Sequence, residues 1–161
     1  MNMLCLMLLT LKHVYNGGLM GDEVTSAALH EGVVSSITTR NLDTARLFAD
    51  HFILASGGYF SKGLAATPTQ VYEPLFGLDI EYPEERKDWY DSNFFADQPF
   101  MDFGVKTDAS LHAIKDGEPV KNLFAIGSVL GSTRKEDYGT AAGLAIRTAF
   151  AAADTIKGGN V

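Results

Sequence analysis

An α/β fold is predicted for this chain on three observations. The run His51-Phe52-Ile53-Leu54-Ala55-Ser56 is short, almost wholly apolar and stopped by paired glycines. Two β-branched and apolar runs flank the turn at His30-Glu31-Gly32, and Thr140–Lys157 carries a helical period. An uninterrupted apolar run suits a parallel strand buried on both faces, and an amphipathic helix needs a surface to cover. With 161 residues, 46% of them hydrophobic and 20% charged, the chain can bury one sizeable core, and a single domain, 1–161, is expected.

In chain order, Met1 to Leu11 is nearly all apolar. It has no positive region ahead of it and no small-residue cleavage site, and it is too short to span a bilayer. It reads as a buried helix ending at Asn16-Gly17-Gly18. Between Glu23 and Ser56 a three-strand meander is expected. Its strands cover Val24–Leu29, Val33–Thr39 and a stretch near Ala45–Ala49, the last following the polar turn Arg40-Asn41-Leu42-Asp43. The parallel strand at 51–56 comes next, and Gly57 and Gly58 at its C-terminal end allow a backbone or ligand to approach closely.

The segment 72–103 holds nine of the seventeen aromatics. From Glu73 to Asp102 it also holds nine Asp or Glu against Arg86 and Lys87, while the rest of the chain carries eleven charges of each sign. No clean period runs through it, so it reads as an excursion or cap. Its aromatics are expected to fill a satellite core with the carboxylates in water; a substrate pocket is the other reading. Strand-like runs then resume at Val105–Asp108, Ser110–Ile114 and Val120–Gly127, with Asp116-Gly117 as a hairpin turn. The final helix, Thr140–Lys157, is expected to bury Ile146, Ala149, Phe150, Ala153 and Ile156, and Gly158-Gly159 stop it.

The formal charge of −7 excludes a phosphate-backbone binder, so no nucleic-acid partner is expected. Four histidines and the single Cys5 form no metal-ligand pattern and no internal disulfide, and a reducing cytoplasm fits best. Chemistry therefore points to glycine. Gly57-Gly58, Gly127-Ser128 with Gly131, and Gly139-Thr140-Ala141-Ala142-Gly143 each mark the end of a strand or the start of a helix. Each alone also reads as ordinary turn chemistry. Together they suggest one site made from two strand ends and a helix start, where Thr140, Ala141 and Ala142 offer N–H groups to an electron-rich ring edge such as that of a reduced flavin.

Other constellations are weaker. Ser56, Ser61 and His51 lack the Gly-x-Ser-x-Gly setting of a nucleophile elbow. Glu136 and Asp137 read either as an acid–base pair or as solvated charge before a helix, and Arg134 and Lys135 either as phosphate ligands or as a solvated loop. His112 reads as structural before it reads as a proton shuttle. No catalytic acid or base is assigned.

The runs 50–58 and 122–131 resemble two flavin-domain signatures. With Gly21-Asp22-Glu23-Val24, Glu31-Gly32-Val33-Val34, Gly77-Leu78-Asp79 and Phe103-Gly104-Val105, nearly the whole chain is similar to the B subunit of anaerobic glycerol-3-phosphate dehydrogenase. That resemblance implies a partial FAD/NAD(P)-binding-type flavoprotein domain with a β-meander, lacking the N-terminal Gly-x-Gly-x-x-Gly βαβ unit. It implies FMN as the cofactor rather than FAD, and as partners a catalytic FAD subunit and an iron–sulfur subunit docked at the membrane. It also implies electron relay towards quinone as glycerol 3-phosphate becomes dihydroxyacetone phosphate, in the cytoplasm at the inner membrane. No Gly-x-Gly-x-x-Gly triplet occurs in the sequence. Ser128 stands where related flavoproteins often carry an acid, and Ala141 and Ala142 stand where the family is richer in glycine. A C-terminal or separately encoded part is therefore expected, inactive by itself, with exposed edges that favour self-association or a partner. The competing expectation is an interaction module that binds no flavin alone.

Overall fold

The computed structural model describes residues 22–42, 44–131 and 141–158. The predicted N-terminal helix and the 134–137 charges lie outside them.

The expected meander is present as β1 (Val24–His30), β2 (Val33–Thr39) and a short β3 (Arg46–Leu47). After it comes β4 (Phe52–Leu54), the parallel strand. Two small antiparallel pairs follow in the chain, β5 (Ala65–Ala66) with β6 (Val71–Tyr72) and β7 (Ile80–Glu81) with β8 (Gly104–Val105). The hairpin of β9 (His112–Lys115) and β10 (Glu118–Ala125) completes the strands.

The centre of the fold is a three-stranded mixed sheet. β4 runs parallel to β10, and β9 pairs antiparallel on the other side of β10. Phe52, Ile53 and Leu54 lie opposite Leu123, Phe124 and Ala125. Phe52, Leu54, Leu123 and Ala125 are no more than 1% exposed. Burial of a side chain such as Phe52 or Leu54 stabilises by about 1.5–3 kcal/mol, so this short pairing anchors the core. The ladder continues one step beyond the strands, because Ile126 N–H donates to the Leu54 carbonyl at 3.0 Å.

Both expected hairpin turns have positive φ at their two central residues: Glu31 and Gly32 at 50° and 73°, Asp116 and Gly117 at 53° and 82°. That is the left-handed pair a two-residue turn needs to follow the strand twist. Where strand pairing lapses near Val34, the Asn122 side chain takes over. Its Oδ1 accepts from Val34 N–H at 2.8 Å and its Nδ2 donates to the Val34 carbonyl at 2.9 Å, across 88 residues. One buried amide thus ties the meander to the central sheet.

Three expectations need correction. The strand expected at Ser110–Ile114 starts later, at His112. Leu111 is left-handed, with φ of 68°, and the Asp108 carboxylate folds the chain by accepting from Ser110 and His112 N–H, both at 2.9 Å. Burial raises the Asp108 pKa, but those bonds and the His112 ring outweigh it and hold the group below its usual range. His112 also pairs with Asp108 through Nδ1 at 2.9 Å and stacks on Phe124, the structural role rather than a shuttle.

The 72–103 segment is also less separate than expected. It does contain a satellite cluster of Trp89 and Phe103, with Val71 just before it, ringed by Tyr59, Ile80, Tyr82 and Phe100. Yet Phe76 and Leu78 belong to the main core. The reason is a latch: Asp79 accepts from Asp116 and Gly117 N–H, and Lys115 Nζ donates to the Phe76 and Gly77 carbonyls. Nor do all its carboxylates face water. Glu73 is 2% exposed and accepts from Leu75, Phe76 and Gly77 N–H, while burial pushes its carboxyl above the usual range.

Helix α1 (Ala141–Gly158) forms where expected but buries a different face. Leu144, Thr148 and Ala152 are buried; of the expected stripe, Ala153 and Ile156 are half-buried, whereas Ala149 is exposed and Ile146 and Phe150 are 60% and 69% exposed. Thr148 faces inward because the surface beneath it is a glycine turn with an N–H to bind.

Replacement of Asn122 by Leu keeps the volume and removes both bonds to Val34. Each buried group left unpaired costs about 1–3 kcal/mol, so chemical denaturation is expected to show a loss in that range or above it. An unchanged midpoint would mean that the amide bonds are dispensable.

Candidate functional site

Because β4 and β10 are parallel and in register, their C-terminal ends deliver two glycine turns side by side. Gly57 has φ of 74° and Gly127 has φ of 71°, a region open to glycine and costly for other residues. A Cβ on Gly57 would stand 3.5 Å from the Ser128 hydroxyl oxygen, and one on Gly58 would stand 3.5 Å from the Ser128 carbonyl. The structure thus brings together Gly57, Gly58, Gly127 and Ser128. Short 3-10 turns follow each glycine, at Tyr59–Ser61 and Gly127–Val129.

Gly131 sits beyond the second turn and has a different neighbour. Its Cβ would fall 2.8 Å from the Gly104 carbonyl, and a Cβ on Gly104 would fall 2.3 Å from Gly131 N. Val105 bridges Leu130 there in parallel fashion, with Gly131 N–H donating to the Val105 carbonyl. Close backbone contact explains both glycines without a ligand. The same holds at Gly63, where a Cβ would lie 1.9 Å from the Gly57 carbonyl, and at Gly57, where it would meet the Ser61 hydroxyl at 2.7 Å. Gly58 is the exception. Its φ is −86° and no atom lies nearer than the Ser128 carbonyl, so the fold itself does not require glycine there.

The third element, helix α1, crosses the second turn. Gly127 N–H donates to the Thr148 hydroxyl at 2.9 Å, that hydroxyl donates to the Leu144 carbonyl at 2.7 Å, and a Cβ on Gly127 would lie 3.6 Å from Ala145 Cβ. Ala141 and Ala142 are exposed in the first turn and Gly143 is half-buried. Gly139 and Thr140 lie outside the described residues. Ala141 and Ala142 open the described part of the helix, about one to two turns before Ala145 and Thr148, the residues that meet Gly127.

At this edge the Ser56 Oγ is enclosed without a hydrogen-bond partner. Ser56 Oγ would be 2.6 Å from a Cβ on Gly63, so it lies within the first glycine turn. A buried polar group without a partner is costly, and a bound molecule that supplies the missing bond recovers that cost. Tyr59, the titratable neighbour of Gly58, is pushed up to about 12, first by burial and then by Tyr82, and stays a neutral phenol at physiological pH. Sequence reasoning passed over Thr148 and the roles of Ser56 and Gly63, because their partners lie on other elements or around a tight turn.

Elsewhere an open cleft of about 540 Å³ is lined by Val33, Val34, Ser35, Phe48, Ala49, Asp50 and Asn122. None of the turn glycines lines it, and its amide, Asn122, is already committed to Val34. Among the described residues no group of His, Cys, Asp or Glu could hold a metal ion, and no helix is long and apolar enough to cross a membrane.

Thr148→Val keeps the side-chain shape and strands the Gly127 N–H. Denaturation is expected to show a loss of about 1–3 kcal/mol, and amide exchange at Gly127 should accelerate more than at Phe52–Leu54. Equal acceleration at both would place the bond outside the site's local stability.

Comparison with known proteins shows the family. The model of the FAD binding domain family matches residues 12–142. The B subunit of anaerobic glycerol-3-phosphate dehydrogenase from Yersinia pseudotuberculosis serotype I (strain IP32953) is 42% identical over 142 residues, which are 87% of this chain and 34% of that protein. Its counterpart from Vibrio vulnificus (strain CMCP6) is 42% identical over 143 residues, 87% of this chain and 33% of that protein. That of Vibrio cholerae serotype O1 (strain ATCC 39315 / El Tor Inaba N16961) is 37% identical over 147 residues, 89% of this chain and 34% of that protein. The chain spans about a third of the length of these curated relatives. No solved structure matches it. The chain belongs to the FAD binding domain family, and its curated relatives are the B subunits of anaerobic glycerol-3-phosphate dehydrogenases.

Proposed function

We propose that this chain supplies the ring side of a flavin site in an oxidoreductase subunit, the C-terminal part of a protein like the B subunit of glycerol-3-phosphate dehydrogenase. One observation carries the reading: Gly58, at the ends of two parallel strands, is a glycine where a Cβ would meet only the Ser128 carbonyl, at an ordinary contact distance of 3.5 Å, so packing does not demand it. The partnerless Ser56 Oγ and the small residues of helix α1 support it. A flat ring fits such a place, with Gly57, Gly58, Gly127 and Ser128 on one side and the N–H groups of Ala141 and Ala142 on the other. Gly143 lies in the same helix and Gly131 just beyond the second turn, and Gly139 and Thr140 are assigned to the site from the sequence alone.

A flavin bound here would take up and pass on electrons, and the chain's own residues would hold and orient the ring and exclude water from it. FMN is the proposed flavin, with FAD the alternative, on the resemblance to the B-subunit family. The relatives' name supplies the reaction class, oxidation of glycerol 3-phosphate. Within it we assign this chain electron relay beside a catalytic FAD subunit and an iron–sulfur subunit, in the cytoplasm and held at the inner membrane through the latter. The exposed Ile146 and Phe150 on helix α1 give such partners, or a further part of a longer polypeptide, an apolar surface to cover. The second reading, a scaffold that binds no flavin alone, rests on the absence of a Gly-x-Gly-x-x-Gly triplet from this sequence.

Anaerobic titration of the chain with FMN and with FAD, followed by fluorescence and absorbance, separates these readings. Saturable quenching by FMN is expected. Gly58→Ala is expected to weaken it about tenfold or more while leaving the denaturation midpoint within about 0.5 kcal/mol, because the added Cβ meets only the Ser128 carbonyl, at an ordinary contact distance of 3.5 Å. Binding unchanged in that variant would remove the ring from this site, and no binding of either flavin would leave the scaffold reading.

A further inference from the structure

The part of the chain least explained by the flavin reading is the acidic segment, and within it one feature stands apart. Phe94 and Phe95 are 86% and 92% exposed, and their rings stack edge to face at 5.6 Å, so neither is buried by the other. A pair of bare aromatic rings in water is unfavourable and would collapse onto the fold if its loop allowed. The loop does not allow it. Asn93 N–H donates to the Asp91 carboxylate at 2.7 Å and Phe95 N–H to Asn93 Oδ1 at 3.1 Å. Gln98 closes the loop from the other end, accepting from Asp91 N–H at 3.1 Å and donating to the Asn93 and Ala96 carbonyls at 3.1 and 3.2 Å. Side chains that bond their own loop hold the two rings outward before any partner arrives.

The surroundings give the partner its chemistry. Asp91 and Asp97 flank the pair; a few residues ahead in the sequence Glu84 and Asp88 add negative charge, while Lys87 pairs with Glu85 at 2.6 Å and Arg86 lies over the Trp89 ring. Outside 73–102 the chain carries eleven charges of each sign, so a second copy offers no basic excess to answer this surface. Anionic lipid would be repelled by it. We propose that Phe94 and Phe95 form a preorganised docking knob for a different protein chain, one that presents an apolar pocket rimmed by Lys and Arg. Aromatic side chains dominate interface energies when they fill a pocket, a rigid knob loses little entropy on binding, and a charged rim mainly speeds encounter. The chemistry suits a companion subunit of the same complex, and that identification rests on the function proposed above.

The test uses the companion subunits of the Yersinia pseudotuberculosis dehydrogenase, produced without the relative of this chain, and measures their capture by the immobilised full chain. The Phe94→Ser/Phe95→Ser double variant is expected to weaken binding about tenfold or more, with circular dichroism and flavin titration unchanged. Phe94→Tyr/Phe95→Tyr is expected to restore most of it. Asp91→Asn/Asp97→Asn is expected to slow association at low salt and to match the parent at high salt. Four outcomes would overturn the proposal: no binding by the parent chain, equal binding by the serine variant, self-association that depends on the two rings, or ring-dependent binding to phosphatidylglycerol vesicles. Flavin binding without capture of the subunits would sink the docking knob alone. Ring-dependent capture without flavin binding would sink the flavin reading alone.

Discussion

The parallel pairing of Phe52–Leu54 with Leu123–Ala125 is the constraint on which the rest depends. Parallel strands end on the same side of a sheet, so two segments about seventy residues apart deliver their glycine turns to one place. Three tethers support that pairing. Asn122 fastens the meander beside it, Asp79 and Lys115 lock the hairpin that extends it, and Thr148 clamps the second turn under helix α1. Little apolar area is needed for the site itself, because the core that aligns the strands lies directly beneath.

The same dependence explains why most glycines here are not evidence of a ligand. Gly57, Gly63, Gly104 and Gly131 sit where another backbone or side chain already occupies the place of a Cβ. Packing of this kind makes glycine-rich turns common at strand ends whether or not anything binds there. Gly58 differs because nothing in the chain crowds it, and the difference is one of geometry that a sequence does not display.

Local features are legible in the sequence and distant ones are not. The turns Glu31-Gly32 and Asp116-Gly117 declare themselves because left-handed backbone favours glycine, and the apolar run at 51–56 declares a buried strand by composition. Helix α1 buries a face that its period does not predict, because periodicity weights the largest side chains. Ile146 and Phe150 carry the period, but the turn at Gly127 lies against Ala145 and Thr148. The composition of 72–103 sets it apart, whereas Asp79 and Lys115 bind it to the hairpin through bonds 37 and 39 residues long in sequence. A carboxylate in an acidic segment belongs in water by pattern, yet three backbone N–H groups hold Glu73 inside. In each case the deciding partner lies far along the chain or on the main chain, where side-chain pattern carries no signal.

Hydrogen–deuterium exchange of the chain with and without FMN tests the central claim most directly. Joint protection of the turns at 57–63 and 127–131, together with the first turn of helix α1, is the predicted result. Protection confined to one turn, or centred on the cleft between Val33 and Asp50, would contradict a ring site built from two strand ends.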